Sequence, residues 1–239
     1  MKLTIHQPEY MPWLGFFHKI NMADVYIALD NVQYRHKYFQ NRNKIRDVSG
    51  ETWLNVPVSR KDRRSKLIKD VEIDNTDIKW QKNNWKRIYF GYKGAPYFNE
   101  YASYFENLCS TEWKLLVDLN LDIIKNCLKF LGITTKIIRA SELGIEGQGE
   151  QLILDICKAL KPDVYISGMS GIAGRGKEFE KFFLKEGIKV VYQDFHHPVY
   201  KQLYEPFIPN MSSVDLLFNY GKDSLNIIKG GKEQNEKSS

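Results

Sequence analysis

Cysteine is scarce in this sequence of 239 residues, which has only Cys109, Cys127 and Cys157 and no C-x-x-C pair among them. An odd number of scattered cysteines argues against a disulfide framework and favours a reducing compartment. Each cysteine has Leu or Ile as a direct neighbour. Such apolar surroundings predict buried structural thiols rather than nucleophiles, whose pKa must be lowered by nearby cations.

Long apolar stretches and a leader-like segment are also missing. No hydrophobic run approaches the roughly 18 to 20 residues that a helix needs to span a bilayer. The opening MKLTIHQPEY turns polar too soon for a signal peptide. We therefore expect a cytoplasmic protein without a transmembrane segment, able at most to lie peripherally on the inner face of the membrane.

Motifs for metal, nucleic acid and common cofactors are lacking as well. His196 and His197 are adjacent and no His–Glu ligand spacing occurs, so no metal site is expected. The chain has no zinc-finger, RRM, KH or basic-zipper pattern, and nucleic acid is therefore not an expected partner. Neither a Walker A nor a dinucleotide fingerprint identifies a cofactor.

Aromatic residues and positive charge are what the chain has in excess. Phe, Trp and Tyr make up 13% of it, and the polar ends of Tyr and Trp make this surplus suitable for stacking on a sugar or base. Lys and Arg outnumber Asp and Glu by 35 to 29, with a dense basic stretch from Arg35 to Lys69. That stretch is either a solvated surface or a patch facing phosphate, a nucleotide sugar, an acidic carrier protein or membrane head groups.

The first and last thirds of the chain alternate apolar strands with helices, which is typical of a parallel α/β sheet. A strand over 3–5, a helix over 13–20 and a strand over 24–29 form the first βαβ unit. The later elements are strands at 135–138, 163–167 and 189–192 and helices at 148–160 and 174–186. We predict a single Rossmann-like α/β domain over 1–221, followed by a polar tail at 222–239.

The middle third departs from this pattern. Residues 31–74 predict an antiparallel β insertion, with strands at 52–58 and 67–73 around the charged turn SRKDRRS. Three helices are predicted to follow and to cover one face of the sheet, the last ended by Gly132 as its C-cap. Their predicted ranges are 77–91, 96–108 and 111–131.

Three polar residues follow predicted strands and are the candidate catalytic groups. Ligands of α/β folds bind outside the carboxyl ends of the strands, which is where His6, Asp30 and His197 fall. His6 is a candidate general base, with a backbone-capping loop histidine as the plainer alternative, and His197 is a second candidate base. We expect the two histidines to face each other across the sheet edge, and Asp30 to be the carboxylate that orients the base.

Amides, rings and an arginine near the same edge are the candidate binding groups. They offer fixed hydrogen-bond geometry for sugar hydroxyls, carboxylates and phosphates, unless they only form turns. Ser167 and Gly168 open a glycine-rich stretch whose backbone N–H groups can cradle a phosphate. The full set is Gln7, Tyr10, Trp13, Gln33, Tyr34, Gln40, Asn41, Arg42, Ser167 and Gly168.

Six segments together resemble the WbqC-like proteins of bacterial O-antigen and related surface-polysaccharide clusters. They are IHQPEYMPWLGFFHKI, LDNVQYRHKYFQNRNKI, WLNVPV, ISGMSG, VYQDFHHPVYKQ and VDLLFNYG. The resemblance runs from about residue 3 to residue 221, and its His-Gln-Pro opening is distinctive. The resemblance adds Gln193, Tyr200 and Gln202 to the expected substrate-binding residues. The other motif positions that carry over are Pro8, Pro12, Gly15, Pro198, Asp215, Asn219 and Gly221.

This resemblance implies an enzyme of surface-polysaccharide biosynthesis, and an aminoacyl transferase such as a glycyl transferase acting on an amino sugar is the role suggested within the family. The expected acceptor is a nucleotide-linked or lipid-linked amino sugar, and the expected donor is a thioester or an activated amino acid. An acyl transfer needs a base and donors for the developing oxyanion. His6 or His197 would be the base, and Gln7, Gln33 and Asn41 the donors.

Two alternatives accompany this hypothesis. The same aromatic and amide groups would suit a non-catalytic sugar-binding or scaffold protein of the same pathway. The first βαβ unit also resembles the nucleotidyltransferase type of Rossmann fold. However, Trp13 and Phe16 stand where the histidines of its His-x-Gly-His motif would be, and this departure argues against nucleotidyl transfer.

Overall fold

A computed structural model describes residues 1–59, 65–76, 79–168 and 176–230 of the chain as eight helices and seven strands. The first half contains β1 (Lys2–His6), α1 (Leu14–Asn21), β2 (Val25–Ala28), β3 (Arg42–Asp47), β4 (Gly50–Asn55), α2 (Lys79–Tyr92) and α3 (Phe98–Ser110). The second half contains α4 (Leu116–Leu131), β5 (Lys136–Arg139), α5 (Gly149–Leu160), β6 (Val164–Ser167), α6 (Gly176–Lys185), β7 (Lys189–Tyr192), α7 (Ser213–Tyr220) and α8 (Ser224–Ile228).

Five of the strands form a parallel sheet in the order β5-β2-β1-β6-β7. The predicted Rossmann-like α/β fold is thereby confirmed. The chain leaves β1 toward β2 and β5 on one side and later returns to β6 and β7 on the other side. Connections diverge between β1 and β6, and such a switch point opens a crevice at the carboxyl ends of the two strands.

Alternating side chains of the strands fill a separate core on each face of the sheet. Tyr26 and Ala28 of β2 pack with α1 and the helices α2, α3, α4, α7 and α8. Val25 and Ile27 of the same strand pack on the other face with α5 and α6. The predicted middle helices therefore cover one face, as expected from their apolar stripes. Gly132 ends α4 in the left-handed conformation, at φ 70°, which confirms it as the C-cap.

The antiparallel insertion exists, but its predicted pairing is wrong. β4 pairs with β3, in register from Arg42↔Asn55 to Asp47↔Gly50. The two-residue turn between them is held by Asp47, whose Oδ1 accepts from the backbone N–H of Ser49. Gly50 adopts φ +129°, which a side chain would disfavour. The pairing of β3 with β4 is favoured by these signals within a two-residue turn. The predicted pairing of 52–58 with 67–73 would have had to close the longer turn between them.

Residues 67–73 do not form the predicted strand. They contain the 3₁₀ turn Ile68–Asp70 and make isolated bridges, Val58↔Ile73 among them. Another bridge joins Glu72 to Leu115 and keeps Leu115 extended, so α4 begins at Leu116, later than predicted. Residues 60–64 of the charged turn SRKDRRS lie outside the described residues.

The packed structure extends past the predicted boundary at residue 221. A 3₁₀ turn over Gly221–Asp223 leads into α8, whose Ile227 and Ile228 are buried in the core. The polar residues 231–239 lie outside the described part of the chain. No helix of the described residues is long and apolar enough to cross a membrane.

Candidate functional site

The carboxyl end of β1 brings three titratable side chains together, and we call His6, Glu9 and Lys19 the edge cluster. His6 ends the strand, Glu9 follows in the loop, and Lys19 projects from α1. His6 Nε2 lies 3.6 Å from Glu9 Oε1, with one third of the His6 side chain exposed. Lys19 Nζ donates to the carbonyl of Ile5 over 3.4 Å, and both Glu9 and Lys19 are 5% exposed.

Two buried amides hold the loop that carries Glu9. Asn43 Nδ2 donates to the carbonyl of Met11 over 2.6 Å, and Asn120 Nδ2 donates to the carbonyl of Pro8 over 3.3 Å. Met11 adopts a positive φ of 46°, an uncommon conformation for a side-chain-bearing residue. The loop is thus fixed by hydrogen bonds from β3 and α4.

Burial sets the electrostatics of the edge cluster. It raises the pKa of Glu9 from 4.5 to about 7, against the opposing pull of the Lys19 charge. It lowers the pKa of Lys19 from 10.5 to about 8, against the pull of Glu9. Burial, and then the Lys19 charge, also hold the pKa of His6 well below 6.5. His6 is therefore a neutral imidazole at pH 7, and both of its neighbours titrate near neutrality.

Two enclosed atoms of the edge cluster have no hydrogen-bond partner among the described residues. They are Nδ1 of His6 and Oε2 of Glu9. Most buried polar atoms in folded proteins are paired, and an unpaired one lowers stability unless something else requires it. The exceptions therefore mark where a proton or a ligand can be accepted.

Gln7 follows His6 directly, and its amide orientation is set by a relay. Gln40 Oε1 accepts from the backbone N–H of Arg35 over 2.8 Å, so the Gln40 amide must present its Nε2 elsewhere. That Nε2 donates to Gln7 Oε1 over 2.7 Å. Because the Gln7 oxygen is engaged, its NH₂ group is the part left to donate to a ligand.

A cavity of about 680 Å³ opens next to Gln7 at this sheet edge. No carboxylate stands among its described lining residues, while Arg35 and the start of α5 add positive electrostatic potential. Asn31 is held there by a 2.8 Å hydrogen bond from its Nδ2 to the carbonyl of Ile145. The described lining residues are Gln7, Leu29, Asn31, Val32, Gln33, Arg35, Ser65, Leu67, Gly147, Gln148, Gly149 and Ile153.

Asp30 does not orient His6. Its fully buried carboxylate accepts from Arg139 Nε over 2.8 Å and from both the backbone N–H and the hydroxyl of Ser141, at 2.9 and 2.8 Å. No hydrogen bond or ion pair joins it to His6 within the described residues. Asp30 instead ties the end of β2 to the end of β5, and the carboxylate beside His6 is Glu9.

His197 does not face His6, and both of its ring nitrogens are engaged. Nδ1 contacts the carbonyl of Pro198 at 2.8 Å, and Nε2 accepts from the backbone N–H of Asn210 over 3.1 Å. The proton therefore belongs on Nδ1. Burial lowers the pKa of His197, which keeps it neutral. His197 is thus a loop histidine that caps backbone groups, the role that the sequence offered as the alternative for His6, and no free nitrogen is left to act as base.

Tyr200 and Gln202 belong to a second buried polar group, which we call the Asp215 cluster together with Asp215 and Tyr92. Tyr92 donates to Asp215 Oδ1 over 3.0 Å. Tyr200 and Gln202 both donate to Asp215 Oδ2, over 2.7 and 2.9 Å. These side chains pair with one another inside the core and do not line the cavity.

The other predicted binding residues divide by exposure. Tyr10 and Tyr34 are core residues, 1% and 3% exposed, and Asn41 donates to the carbonyl of Val56 over 2.9 Å. Gln33 lines the cavity. Trp13 packs on Phe195, and Gln193 donates to the carbonyl of Gly15. Arg42 lies over Trp53 in the hairpin. Ser167 ends β6, and Gly168 follows it. Residues 169–175 of the glycine-rich stretch lie outside the described residues.

Sequence reasoning missed Lys19 and left Glu9 without a role. A signal existed for each. Glu9 is three residues from His6, and Lys19 falls three residues after Phe16, on the predicted apolar face of α1. A charge on an apolar face is expensive to bury and usually has a partner.

Neither a metal centre nor a reactive thiol emerges from the described residues. No group of three His, Cys, Asp or Glu side chains is placed to hold a metal ion in this part of the chain. All three cysteines are buried and free, which confirms the prediction of structural thiols. Burial raises the pKa of each to about 12, so they remain protonated at neutral pH.

Comparison with known proteins gives two matches that cover nearly all of the chain. The family model described as WbqC-like protein family matches residues 7–227. The chain is also 30% identical over 230 residues to a Mycobacterium tuberculosis (strain ATCC 25618 / H37Rv) protein named "Uncharacterized protein Rv1507c", covering 95% of this chain and 97% of that protein. No solved structure shows significant similarity.

Proposed function

The chain belongs to the WbqC-like protein family, and on this premise we propose that it is a transferase that attaches an acyl or aminoacyl group, such as glycyl, to an amino sugar in surface-polysaccharide biosynthesis. One observation carries the proposal. At the end of the central strand, His6 has an enclosed ring nitrogen, Nδ1, without a hydrogen-bond partner among the described residues, and Glu9 lies at its other nitrogen. This is the arrangement that a general base requires.

His6 accepts the proton of the sugar amine through Nδ1. The described fold encloses this nitrogen, so the acceptor has to displace the atoms that cover it. Glu9 faces Nε2 at 3.6 Å. Its ionised form, which a pKa of about 7 leaves partly populated at neutral pH, favours the tautomer that carries the proton on Nε2 and leaves the Nδ1 lone pair free. The lowered pKa of His6, caused by burial and by the Lys19 charge, keeps this lone pair unprotonated at neutral pH. Glu9 takes the orienting role that the sequence assigned to Asp30.

The transfer forms one bond and breaks one. The amine nitrogen attacks the acyl carbon of the donor, the amide C–N bond forms, and the bond from that carbon to the thiolate or phosphate leaving group breaks. The amine proton passes to His6 and then to the leaving group or to water. The Gln7 NH₂ group, oriented by Gln40, donates to the oxygen that becomes negative in the tetrahedral intermediate.

The cavity is the binding place for the acceptor. Its described lining combines amides with Arg35 and has no carboxylate, which suits sugar hydroxyls and a phosphate-linked carrier. Gln7 lines the cavity, whereas the preceding His6 is not among its described lining residues and contacts Phe16 of α1. The proposal therefore requires an acceptor in the cavity to reach across the end of β1. The donor is a thioester, on coenzyme or acidic carrier protein, or an activated amino acid.

Mass spectrometry on defined mixtures tests this proposal. The full-length protein is incubated with UDP- and GDP-linked amino sugars and with acyl thioesters or aminoacyl adenylates. The expected result is an amide product whose rate falls about 10²-fold or more in His6→Ala, the usual contribution of a general base. His196→Ala is the matched control, because that ring is 89% exposed.

Two results would overturn the assignment. Equal rates for His6→Ala and the parent would remove His6 from the mechanism. Binding of an amino sugar without any mass change, over all donors, would favour the rival function of a sugar-binding or scaffold protein.

A further inference from the structure

The helix α2 and the residue after it carry basic side chains and no acidic ones. Five basic residues occur between Lys79 and Lys93, and the intervening sequence has neither Asp nor Glu. Lys82, Lys86, Arg87 and Lys93 are exposed. None of these four takes part in the ion pairs of the described residues. Their charge is therefore not neutralised within the described fold.

Two aromatic rings lie exposed on the same side of the helix. Phe90 is 60% exposed and Tyr89 is 39% exposed. At 100° per residue, these rings fall with the lysines within about 100° of the helix circumference. Lys93 Nζ stands over the Phe90 ring at 5.2 Å. We call this set the α2 stripe: Lys82, Lys86, Tyr89, Phe90 and Lys93.

The opposite side of α2 anchors the helix in the core. Asn84, Ile88 and Tyr92 are at most 1% exposed. Asn84 bonds to the carbonyl of Asn55, and Tyr92 belongs to the Asp215 cluster. The α2 stripe is thus a preformed surface, and no folding step has to accompany its use.

We propose that the α2 stripe docks the protein on an anionic membrane surface. Three ammonium groups on one helical face attract anionic lipid head groups. Each lysine that lies close to an anionic membrane surface adds to the binding free energy. Phe90 has no hydrogen-bonding group, so the acyl boundary is a better environment for it than water. Tyr89 has the amphipathic ring that is enriched at membrane interfaces.

This chemistry separates a lipid surface from other anionic partners. An acidic protein or a nucleic acid would engage the lysines, but a bare phenyl ring between them adds most where an apolar layer lies below the charges. The inference is independent of the proposed transfer reaction, since it uses none of the residues at the sheet edge. It gives a way for a chain without a described membrane-spanning helix to reach lipid-linked substrates.

Vesicle co-sedimentation with the full-length protein tests the docking. Vesicles of phosphatidylcholine with added phosphatidylglycerol are compared with phosphatidylcholine alone, from low to high salt. The parent is expected to bind only the anionic vesicles and to dissociate as salt screens the charges. Lys82→Glu/Lys86→Glu should weaken binding by about 25-fold or more, because each lysine near an anionic surface contributes about fivefold. Phe90→Ser should weaken it about tenfold.

Lys125→Glu/Lys129→Glu is the matched control. It makes the same charge change at the same spacing on another helix, α4, where both lysines are exposed. An equal loss in this control would assign the binding to net charge and overturn the proposal. Absence of parent binding to anionic vesicles would do the same. Tighter binding to single-stranded RNA than to vesicles, lost in Lys82→Glu/Lys86→Glu, would assign the stripe to nucleic acid instead.

Discussion

The edge cluster and the Asp215 cluster are both buried and polar, yet they treat their hydrogen bonds in opposite ways. In the Asp215 cluster both carboxylate oxygens have hydroxyl or amide donors within 3.0 Å. In the edge cluster, Nδ1 of His6 and Oε2 of Glu9 are enclosed without partners among the described residues. A complete network stabilises one arrangement, whereas an incomplete one keeps groups available at the expense of stability.

The two clusters also differ in what surrounds them. Tyr92 of the Asp215 cluster accepts a 2.9 Å hydrogen bond from the backbone N–H of Arg46. Arg46 is 2% exposed, and its guanidinium group donates to the carbonyls of Gly50 and Glu205. This network joins β3, α2 and α7. The edge cluster lies instead at the carboxyl end of β1, beside Gln7, which lines a cavity. Among the polar residues of the family motif, Asp215, Tyr200 and Gln202 therefore complete a buried network, whereas His6 lies at the carboxyl end of β1.

The largest expected effect is the loss of Asp215. Asp215→Ala removes one acceptor and leaves the hydroxyls of Tyr92 and Tyr200 and the amide of Gln202 buried without it. Breaking a buried charged network in this way costs about 3 to 5 kcal/mol. Urea unfolding should show this loss in the free energy of unfolding, and Asp194→Ala, at a side chain that is 82% exposed, should change it little. A loss below about 1 kcal/mol would mean that the network is not structural.

The second prediction exchanges the two histidines. His197→Ala deprives the Asn210 N–H and the Pro198 carbonyl of their partner and should lower the free energy of unfolding by about 1 to 3 kcal/mol, with the rate per folded molecule retained. His6→Ala should do the reverse, losing turnover by about 10²-fold with a smaller loss of stability. Its Nδ1 has no partner to lose, so only the Nε2–Glu9 contact at 3.6 Å and the ring contact with Phe16 are removed. If both variants lost stability and kept turnover, the contrast between the clusters would fail.

The third prediction uses pH to expose the strain in the edge cluster. The folded pKa of Glu9 is raised by burial from 4.5 to about 7, so the folded chain holds a proton that the unfolded chain releases in this window. The Glu9 contribution to stability therefore falls as pH rises from about 5 to 7, by about 1 to 3 kcal/mol. Glu9→Gln removes this slope.

Urea unfolding of parent and Glu9→Gln across that range checks the sign. The variant should gain relative to the parent as pH rises. Lys19 changes the difference in the same direction. The Glu9 charge raises the pKa of Lys19 against the effect of burial, so in Glu9→Gln this pKa falls further. The buried ammonium group then destabilises the variant more at low pH than at high pH. Other carboxyl groups, Asp215 included, cancel in the difference. Parallel profiles would show that Glu9 is ionised in the folded state as readily as in water.

The parallel sheet was predictable because its signals are local. In residues 3–29 and 135–192, short apolar runs indicate strands and amphipathic periodicity indicates helices. Each of these signals comes from residues that are close together in the sequence. The strand predicted at 67–73 failed for a different reason. Its alternating pattern is satisfied equally by isolated bridges such as Val58↔Ile73, and no local rule says which distant segment will pair with it.

The sequence predicted where the candidate site lies, but it did not predict which side chains pair with one another there. His6 and Gln7 were found because strand ends carry the ligand sites of α/β folds. The partner of Asp30 was missed because Arg139 is more than a hundred residues away in sequence. Tyr200 and Gln202 were assigned to the site from the family motif alone, and a motif does not distinguish a residue that binds ligand from one that completes a core network.

The smallest expected effect concerns two arginines that differ as the two clusters do, because one has partners within the fold and the other lines the cavity. Arg42 is engaged, with Nη2 donating to the carbonyl of Lys37 over 2.6 Å and its guanidinium 4.5 Å from the Trp53 ring. Arg35 lines the cavity. Arg42→Ala should therefore lower the free energy of unfolding by about 0.5 to 1 kcal/mol and leave the affinity for a UDP-linked amino sugar unchanged, whereas Arg35→Ala should weaken that affinity. Calorimetric titration of the two variants with the UDP-linked amino sugar measures both affinities. An equal loss of affinity in Arg42→Ala would show that Arg42 binds the ligand, as the sequence analysis predicts.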